Sequence, residues 1–337
     1  MIFWPGVAEN VSCADRQPGN STVPEGTINP QLTRLTIIDA YDIRFARVYT
    51  LEGPSKSNPG PFAQDDQGFI WFGTPNGLNR FDGFTFKVFT HDPENPKSIC
   101  GSYIHSLFKD RNGSLWAGSN QCINRFDSQI ETFSRYPVPY VTHISQDDSG
   151  TLWLSTPTGL YALNPSTGQI RRFSHDPSDS ASLESNDIKS TGEDKEGTFW
   201  VATSEGFDSF DRRRGKVTLH IPIHEASFPF SFYEDRYGVF WIYHVSGNPL
   251  AVFDRKTNTL TQFSFREEHS DGNALTGVTG MLEDQAGMLW LATNGAGLLR
   301  FDRQRQRFVR YRNSLNDPES LAQNSVSTIF QDREGLI

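Results

Sequence analysis

One short frame recurs seven times along this chain of 337 residues. DDQGFIW (65–71), DRNGSLW (110–116), DDSGTLW (147–153), DKEGTFW (194–200), DRYGVFW (235–241) and DQAGMLW (284–290) all read Asp-x-x-Gly-x-apolar-Trp. DREGLI (332–337) follows the same frame up to the missing Trp. The frame fixes Asp65, Asp110, Asp147, Asp194, Asp235, Asp284 and Asp332. It likewise fixes Gly68, Gly113, Gly150, Gly197, Gly238, Gly287 and Gly335. Trp71, Trp116, Trp153, Trp200, Trp241 and Trp290 close it, at successive spacings of 45, 37, 47, 41 and 49 residues. Self-similarity at this period means a repeat architecture, in which one supersecondary unit buries its apolar face only against its neighbours.

Within each period the remaining residues alternate apolar and polar with period two, as in FTFKVFTH (84–91) and SVSTIFQD (325–332). Gly, Asp and Asn punctuate these runs, and no stretch carries a helical stripe of period 3.6, so each repeat reads as four short strands. We call them a (before the Asp), b (carrying Trp), c (ending in Phe-Asp) and d. Four strands in 40 to 50 residues is the period of a β-propeller blade. The frame is then the a–b hairpin: Asp caps nearby backbone N–H groups, and Gly supplies the positive φ that closes the turn. Trp sets a flat apolar face between blades, its indole N–H free to meet a backbone carbonyl. These positions read as structural rather than as a ring of metal ligands or catalytic acids. The fold expected is all-β, a seven-bladed propeller over residues 43–337 with six complete four-stranded blades and an incomplete last one.

Composition narrows the function classes. With 31 Lys and Arg against 40 Asp and Glu, a net charge of −9 and no basic stripe, nothing is arranged to follow a phosphate backbone. Cys13, Cys100 and Cys122 form no CxxC pair, so no metal site is signalled. For Cys100 and Cys122 the reading favours two buried free thiols over a bridge between neighbouring strands. No run reaches the roughly 20 apolar residues that span a bilayer. Residues 1–42 read as a leader: MIFWPGVAEN ends in a small-x-small step, Gly6-Val7-Ala8, that suits the tail of an export signal, with a floppy leader as the alternative.

If the repeats hold the fold, function is sought where they differ. The d–a links are short at 137–139 and 224–226 but long at 91–102, 175–186, 266–277 and 313–324. With strand a innermost, these links and the b–c loops share one face around the channel mouth, and insertions gathered on one face mark a binding face. The b–c loops bring Asn76, Asn120, Thr158, Glu205, His244 and Asn294 to that face. Ten residues before each Trp position stand Pro61, Ser106, His143, Ser190, Ser231, Gly280 and Thr328. His143 is the large exception among small residues and is expected to project into the channel. The candidate ligand-binding residues are therefore Asn76, Asn120, Glu205, His244, Asn294 and His143, with a solvated or capping role open for the loop histidine. No catalytic residue, metal site or cofactor is indicated.

The repeated phrase resembles the two-component regulator propeller repeat, which runs D-x-x-G-x-[LI]-W-[IF]-G-T-x-x-G-L-x-R-[FY]-D into an F-x-x-Y strand and a DP-rich loop. QDDQGFIWFGTPNGLNRFDGFTFKVFTHDPENPKSI follows it almost throughout. Copy three departs at Tyr161-Ala162-Leu163-Asn164, and copy five lacks the Gly-Thr and R-F-D steps. The resemblance implies the extracytoplasmic sensor region of a bacterial membrane receptor, on the periplasmic side of the inner membrane. It also implies a second propeller, possible homodimerisation through the parent, and an output that is a histidine kinase or, less often, a diguanylate cyclase. Such sensors often take glycan fragments, so a small-molecule or oligosaccharide ligand is the expected partner, with no nucleic acid and no membrane span in this chain. Competing readings are a propeller glycosidase or lyase and a protein-interaction scaffold. The kinase boxes are absent from the sequence, so no kinase activity is expected of the chain itself. Ending on QDREGLI, it is expected to be a fragment that stops in mid-blade, with strand a at about 323–331 and an orphan d strand at 43–50 closing the ring.

Overall fold

The computed structural model describes residues 31–40, 42–46, 60–222, 230–244, 250–267 and 277–337. Strand β1 (Gln31–Asp39) is followed by six four-stranded antiparallel units in chain order. Blade 1 holds β2 (Phe62–Gln64), β3 (Ile70–Thr74), β4 (Gly77–Phe81) and β5 (Phe86–Phe89). Blade 2 holds β6 (Ile104–Lys109), β7 (Leu115–Ser119), β8 (Ile123–Asp127) and β9 (Thr132–Tyr136). Blade 3 holds β10 (His143–Gln146), β11 (Leu152–Thr156), β12 (Gly159–Leu163) and β13 (Ile170–Phe173). Blade 4 holds β14 (Ile188–Glu193), β15 (Phe199–Thr203), β16 (Gly206–Asp211) and β17 (Lys216–Pro222). Blade 5 holds β18 (Phe230–Glu234), β19 (Phe240–His244), β20 (Leu250–Asp254) and β21 (Thr259–Glu267). Blade 6 holds β22 (Val278–Glu283), β23 (Leu289–Thr293), β24 (Leu298–Asp302) and β25 (Arg307–Tyr311). The chain is an all-β propeller.

The repeated frame does more than close a turn. In the first blade Asp65 Oδ1 accepts the backbone N–H groups of Gln67 and Phe69, each at 3.0 Å, while Oδ2 accepts the Trp71 indole N–H at 2.7 Å. The indole bond recurs at Trp116, Trp153, Trp200, Trp241 and Trp290, at 2.7–2.8 Å. The indole N–H therefore meets the carboxylate of its own hairpin, not a backbone carbonyl as the sequence suggests. Asp and Trp, six residues apart, form one unit that aims the ring into the next blade. The glycine of each copy sits at φ between 78° and 90°, as the turn demands.

Packing is between blades. Trp71 meets Phe126 of blade 2 at 4.7 Å between ring centroids, Trp153 meets Phe199 of blade 4 at 4.8 Å, and Trp241 meets Phe301 of blade 6 at 5.6 Å. In three blades an Arg just after the Phe-Asp step reaches back to the Asp of the preceding hairpin. These pairs are Arg212 to Asp147 (3.6 Å), Arg255 to Asp194 (2.8 Å) and Arg303 to Asp235 (2.7 Å). A third link runs through the hairpin tips. Arg111 N–H donates to Gln146 Oε1, Lys195 to Glu234, Arg236 to Glu283 and Gln285 to Gln331, all at 2.6–2.9 Å.

Ring closure differs from the expectation of a seventh, incomplete blade: six blades are present. The seventh copy makes its turn, with Asp332 N–H on Leu336 O at 2.9 Å and Leu336 N–H on Asp332 Oδ1 at 2.8 Å, but residues 325–337 form no strand. It wedges instead between blades 6 and 1. Val326 N–H bonds Thr293 O at 2.9 Å, Arg333 N–H bonds Gln64 Oε1 at 2.8 Å, and Phe330 stacks on Phe62 with centroids 6.2 Å apart. Nor does 43–50 supply a closing strand: 43–46 carry none, and 47–50 lie outside the described residues. The N-terminal strand is β1, within the stretch that the sequence assigns to the leader. It runs parallel to both β21 and β25, which joins blades 5 and 6 in one nine-stranded sheet. Leu35 and Ile37 of β1 are buried with Phe265 and Phe308. With no seventh blade to pack on, Trp290 is covered by Ile38, Ala40, Ile43, Phe45, Leu321 and Ile329.

These contacts rank the seven aspartates. Asp235 is fully buried and holds Tyr237 N–H, Val239 N–H, the Trp241 indole and Arg303. Asp235→Ala strands all of them and is expected to cost about 3–5 kcal/mol. Asp332→Ala removes a single bond to Leu336 N–H and is expected to cost about 1 kcal/mol. Urea midpoints of the two variants check the ranking; equal losses would contradict it.

Candidate functional site at the channel mouth

The innermost strands converge on the axis, where small hydroxyl side chains knit neighbouring blades together. Ser106 Oγ donates to Val141 O at 2.7 Å, Ser145 and Thr191 hydroxyls meet at 2.8 Å, and Thr279 Oγ1 donates to Val326 O at 2.6 Å. Glycine is needed where a b strand backs onto the next blade: a Cβ on Gly118 would lie 2.2 Å from Ser106 Oγ and 2.6 Å from Val141 O. Beside these strands lies a cavity of about 610 Å³ lined by Pro61, His105, Ser106, Arg111, Thr142, His143 and Thr191, among others. It therefore spans blades 1 to 4.

His143 opens β10 and lines this cavity, as its place in the repeat predicts. Its Nδ1 accepts the Thr191 N–H at 3.4 Å, which leaves the ring proton on Nε2 as a donor. Burial disfavours the imidazolium and holds the pKa down to about 4, so the ring is neutral at physiological pH. The cavity lining carries one charged side chain, Arg111, and its guanidinium already holds Asp147 O and Asp148 Oδ1, both at 3.0 Å. The site is thus polar, and its one cation is paired outside the lining with Asp148.

The loop candidates divide. Asn76 and Glu205 are exposed in the b–c turns, where their backbone N–H groups bond Thr74 Oγ1 and Thr203 Oγ1 at 3.2 and 3.1 Å. These threonines also donate to the Gly77 and Gly206 carbonyls, so the Thr-x-x-Gly step is a capped turn. Asn294, exposed, accepts the Ser325 hydroxyl at 3.3 Å. His244 ends β19, half-buried, and Thr158 spaces the β11–β12 turn. Asn76, Glu205, His244 and Asn294 thus decorate separate blades around the ring. Asn120 is different: its N–H bonds Tyr103 O at 3.2 Å, just before the strand that carries His105.

Sequence reasoning passed over Tyr103, His105 and Tyr140. Both tyrosines stand just before an innermost strand, and both are exposed, by 46% and 53%. His105 stacks on Tyr103 with centroids 4.3 Å apart and faces Tyr140 at 6.1 Å. The available signal was a pair of bulky aromatics in the d–a links, where the repeat otherwise places small polar residues. Two of the long links are closed structures. In 91–102, Asp92 N–H bonds Ser98 Oγ at 2.9 Å and His91 Nδ1 meets Ile99 O at 2.9 Å; in 175–186, Asp176 with Ser182 and His175 with Leu183 repeat the arrangement. Cys100, at the end of the first link, is joined to Cys122 by a disulfide with Cα atoms 6.0 Å apart, a span such a bond requires. The expectation of two free thiols is thereby corrected: Asn124 Oδ1 accepts the Cys100 N–H at 2.7 Å and draws the link onto β8.

The family description two component regulator propeller matches residues 98–121. That stretch, within the second of the repeats, is the part of the chain that matches the two-component regulator propeller description. The extracellular domain of the putative hybrid two component system BT3049 from B. thetaiotaomicron is similar, with a TM-score of 0.72 at 25% identity over 87% of this chain and 40% of that one. The corresponding domain of BT4673 from the same organism gives 0.70 at 22% identity over 87% and 38%. Histidine kinase P4 of Formosa agariphila is 45% identical over 49 residues, 14% of this chain and 4% of that protein. The chain thus spans less than half the length of each of these relatives. Virginiamycin B lyase from Staphylococcus aureus shares the fold alone, at a TM-score of 0.58 and 12% identity. No helix among the described residues is long and apolar enough to cross a membrane.

The depressed pKa of His143 has a measurable sign. Its folded value near 4 lies below the unfolded value near 6.5, so protonation favours the unfolded chain. The contribution is constant above pH 6.5 and is lost as pH falls from there towards 4. His143→Asn keeps an acceptor for Thr191 and removes the titration. The wild type is expected to lose more stability than this variant between pH 7 and pH 4 in parallel urea melts, and equal losses would count against the burial of His143.

Proposed function

We propose that this propeller is the ligand-sensing, non-enzymatic part of an extracytoplasmic two-component receptor, and that it binds a glycan fragment at the channel mouth. The observation that carries the reading is the likeness, along 87% of the chain, to the extracellular domain of a putative hybrid two component system. The Cys100–Cys122 disulfide supports placement outside the reducing cytoplasm, in the periplasm for a bacterial inner-membrane receptor. The polar channel mouth, with hydroxyls, an uncharged histidine and exposed tyrosines, suits a ligand rich in hydroxyl groups and poor in charge. The parent receptor then adds a second propeller as partner and a cytoplasmic histidine kinase as output, with dimerisation through the parent.

A channel mouth without a convergent pair of carboxylates lacks what a glycosidase needs. Among the residues that line the 610 Å³ cavity there is no Asp or Glu. Calorimetric titration with an oligosaccharide panel, followed by chromatography of the recovered sugar, tests the reading. Saturable binding with the sugar recovered intact is expected. Chain cleavage would make the protein a propeller enzyme, and capture of a stable protein partner with no sugar binding would make it a scaffold.

A further inference from the structure

Two locally unfavourable features meet at the boundary of blades 2 and 3. Tyr140 holds φ at +53°, in the left-handed region that a bulky side chain rarely occupies. Beside it, His105 Nε2 is sealed from solvent with no hydrogen-bond partner among the described residues, and burial pushes the pKa of this imidazole down. A buried nitrogen without a partner is itself destabilising. Asn120 Oδ1, on the loop that bonds Tyr103 O, is likewise buried without a partner among the described residues. Beside His105, Tyr103 and Tyr140 present rings to solvent.

We propose that Tyr103, His105 and Tyr140 form a stacking shelf for one uncharged pyranose ring, with the rest of the sugar entering the cavity past His143. This inference rests on the glycan reading and adds to it a place, a mode of contact and a preference. The apolar C–H face of a pyranose matches an aromatic face, and its hydroxyls offer the donors and acceptors that His105 Nε2 and Asn120 Oδ1 lack once the tyrosines shift to admit it. His143 Nε2–H supplies a donor further in. The backbone strain at Tyr140 fits the same role, since it orients a ring that ordinary φ values would turn elsewhere. Charge selects against acidic sugars: the guanidinium of Arg111, the one charged group on the cavity lining, is already committed to Asp147 and Asp148. A carboxylate or sulfate on the ring would be desolvated there with no free cation to meet it.

The test uses the 337-residue chain with neutral gluco-, xylo- and manno-oligosaccharides, and oligogalacturonates in parallel. Binding is read by calorimetry and by ligand-observed saturation-transfer NMR. Neutral sugars are expected to bind with saturation strongest on the C–H protons of one ring, and oligogalacturonates at least about tenfold more weakly, a gap of about 1.4 kcal/mol. Tyr140→Gly relieves the backbone and removes the ring, so melting temperature is expected to hold or rise while affinity falls about tenfold; Tyr140→Phe keeps both. Binding that is unchanged in Tyr140→Gly and Tyr103→Ala, or stronger for the acidic sugars, overturns the shelf and leaves the glycan-sensor reading standing. Absence of binding by any sugar in either set overturns both.

Discussion

A single carboxylate in each hairpin sets the geometry of its blade. One oxygen closes the a–b turn by accepting two backbone N–H groups, and the other receives the indole six residues on, at 2.7–2.8 Å in all six complete copies. Because Asp and Trp are joined, the turn and the interblade core cannot be set independently: a slip of the hairpin by one residue would swing the ring out of the next blade. A charge-assisted bond of this kind is stronger than one between neutral groups. In blades 3 to 5 the same carboxylate also accepts an Arg from the following blade, so one side chain joins turn, core and ring.

Ring closure shows where this device stops. A propeller must bury the last blade's Trp face, and six copies leave Trp290 facing the gap between blades 6 and 1. Two sets of residues fill it: Ile38, Ala40, Ile43 and Phe45 before blade 1, and Leu321 and Ile329 after blade 6. The tip of the seventh hairpin continues the N–H to side-chain relay from Gln285 through Gln331 and Arg333 to Gln64. β1 then joins the outer strands of blades 5 and 6, and its parallel pairing distinguishes it from every strand inside a blade.

The fold was legible because its determinants are local and repeated. Asp and Gly at fixed offsets specify a turn seven times over and Trp a packing direction six times, so periodicity alone gave the propeller and the strand order within blades. Closure was not legible, since it depends on non-repeating segments whose role is set by the gap they fill; Leu35 and Ile37 are two apolar residues in a leader until β21 and β25 stand on either side of them. The disulfide was missed for a related reason, as Cys100 and Cys122 approach only after the 91–102 link folds back on β8. At the cavity, His143 stands out in the sequence by its size at a position of small residues. Tyr103 and Tyr140 were missed because the frame says nothing of the residues that lead into strand a, and because the strain at Tyr140 is a property of the backbone.

The central claim is that each Asp and its Trp act as one hydrogen-bonded unit. Hydrogen exchange at the indole Nε1–H groups, followed in ¹H–¹⁵N spectra, reads that bond blade by blade. Of the seven indole signals, those of Trp71, Trp116, Trp153, Trp200, Trp241 and Trp290 are expected to exchange on the order of a hundredfold or more slower than free indole. Asp110→Asn should shift the Trp116 signal while leaving those of distant blades in place. Six indoles exchanging at the free rate, or a Trp116 signal unmoved by Asp110→Asn, would contradict it.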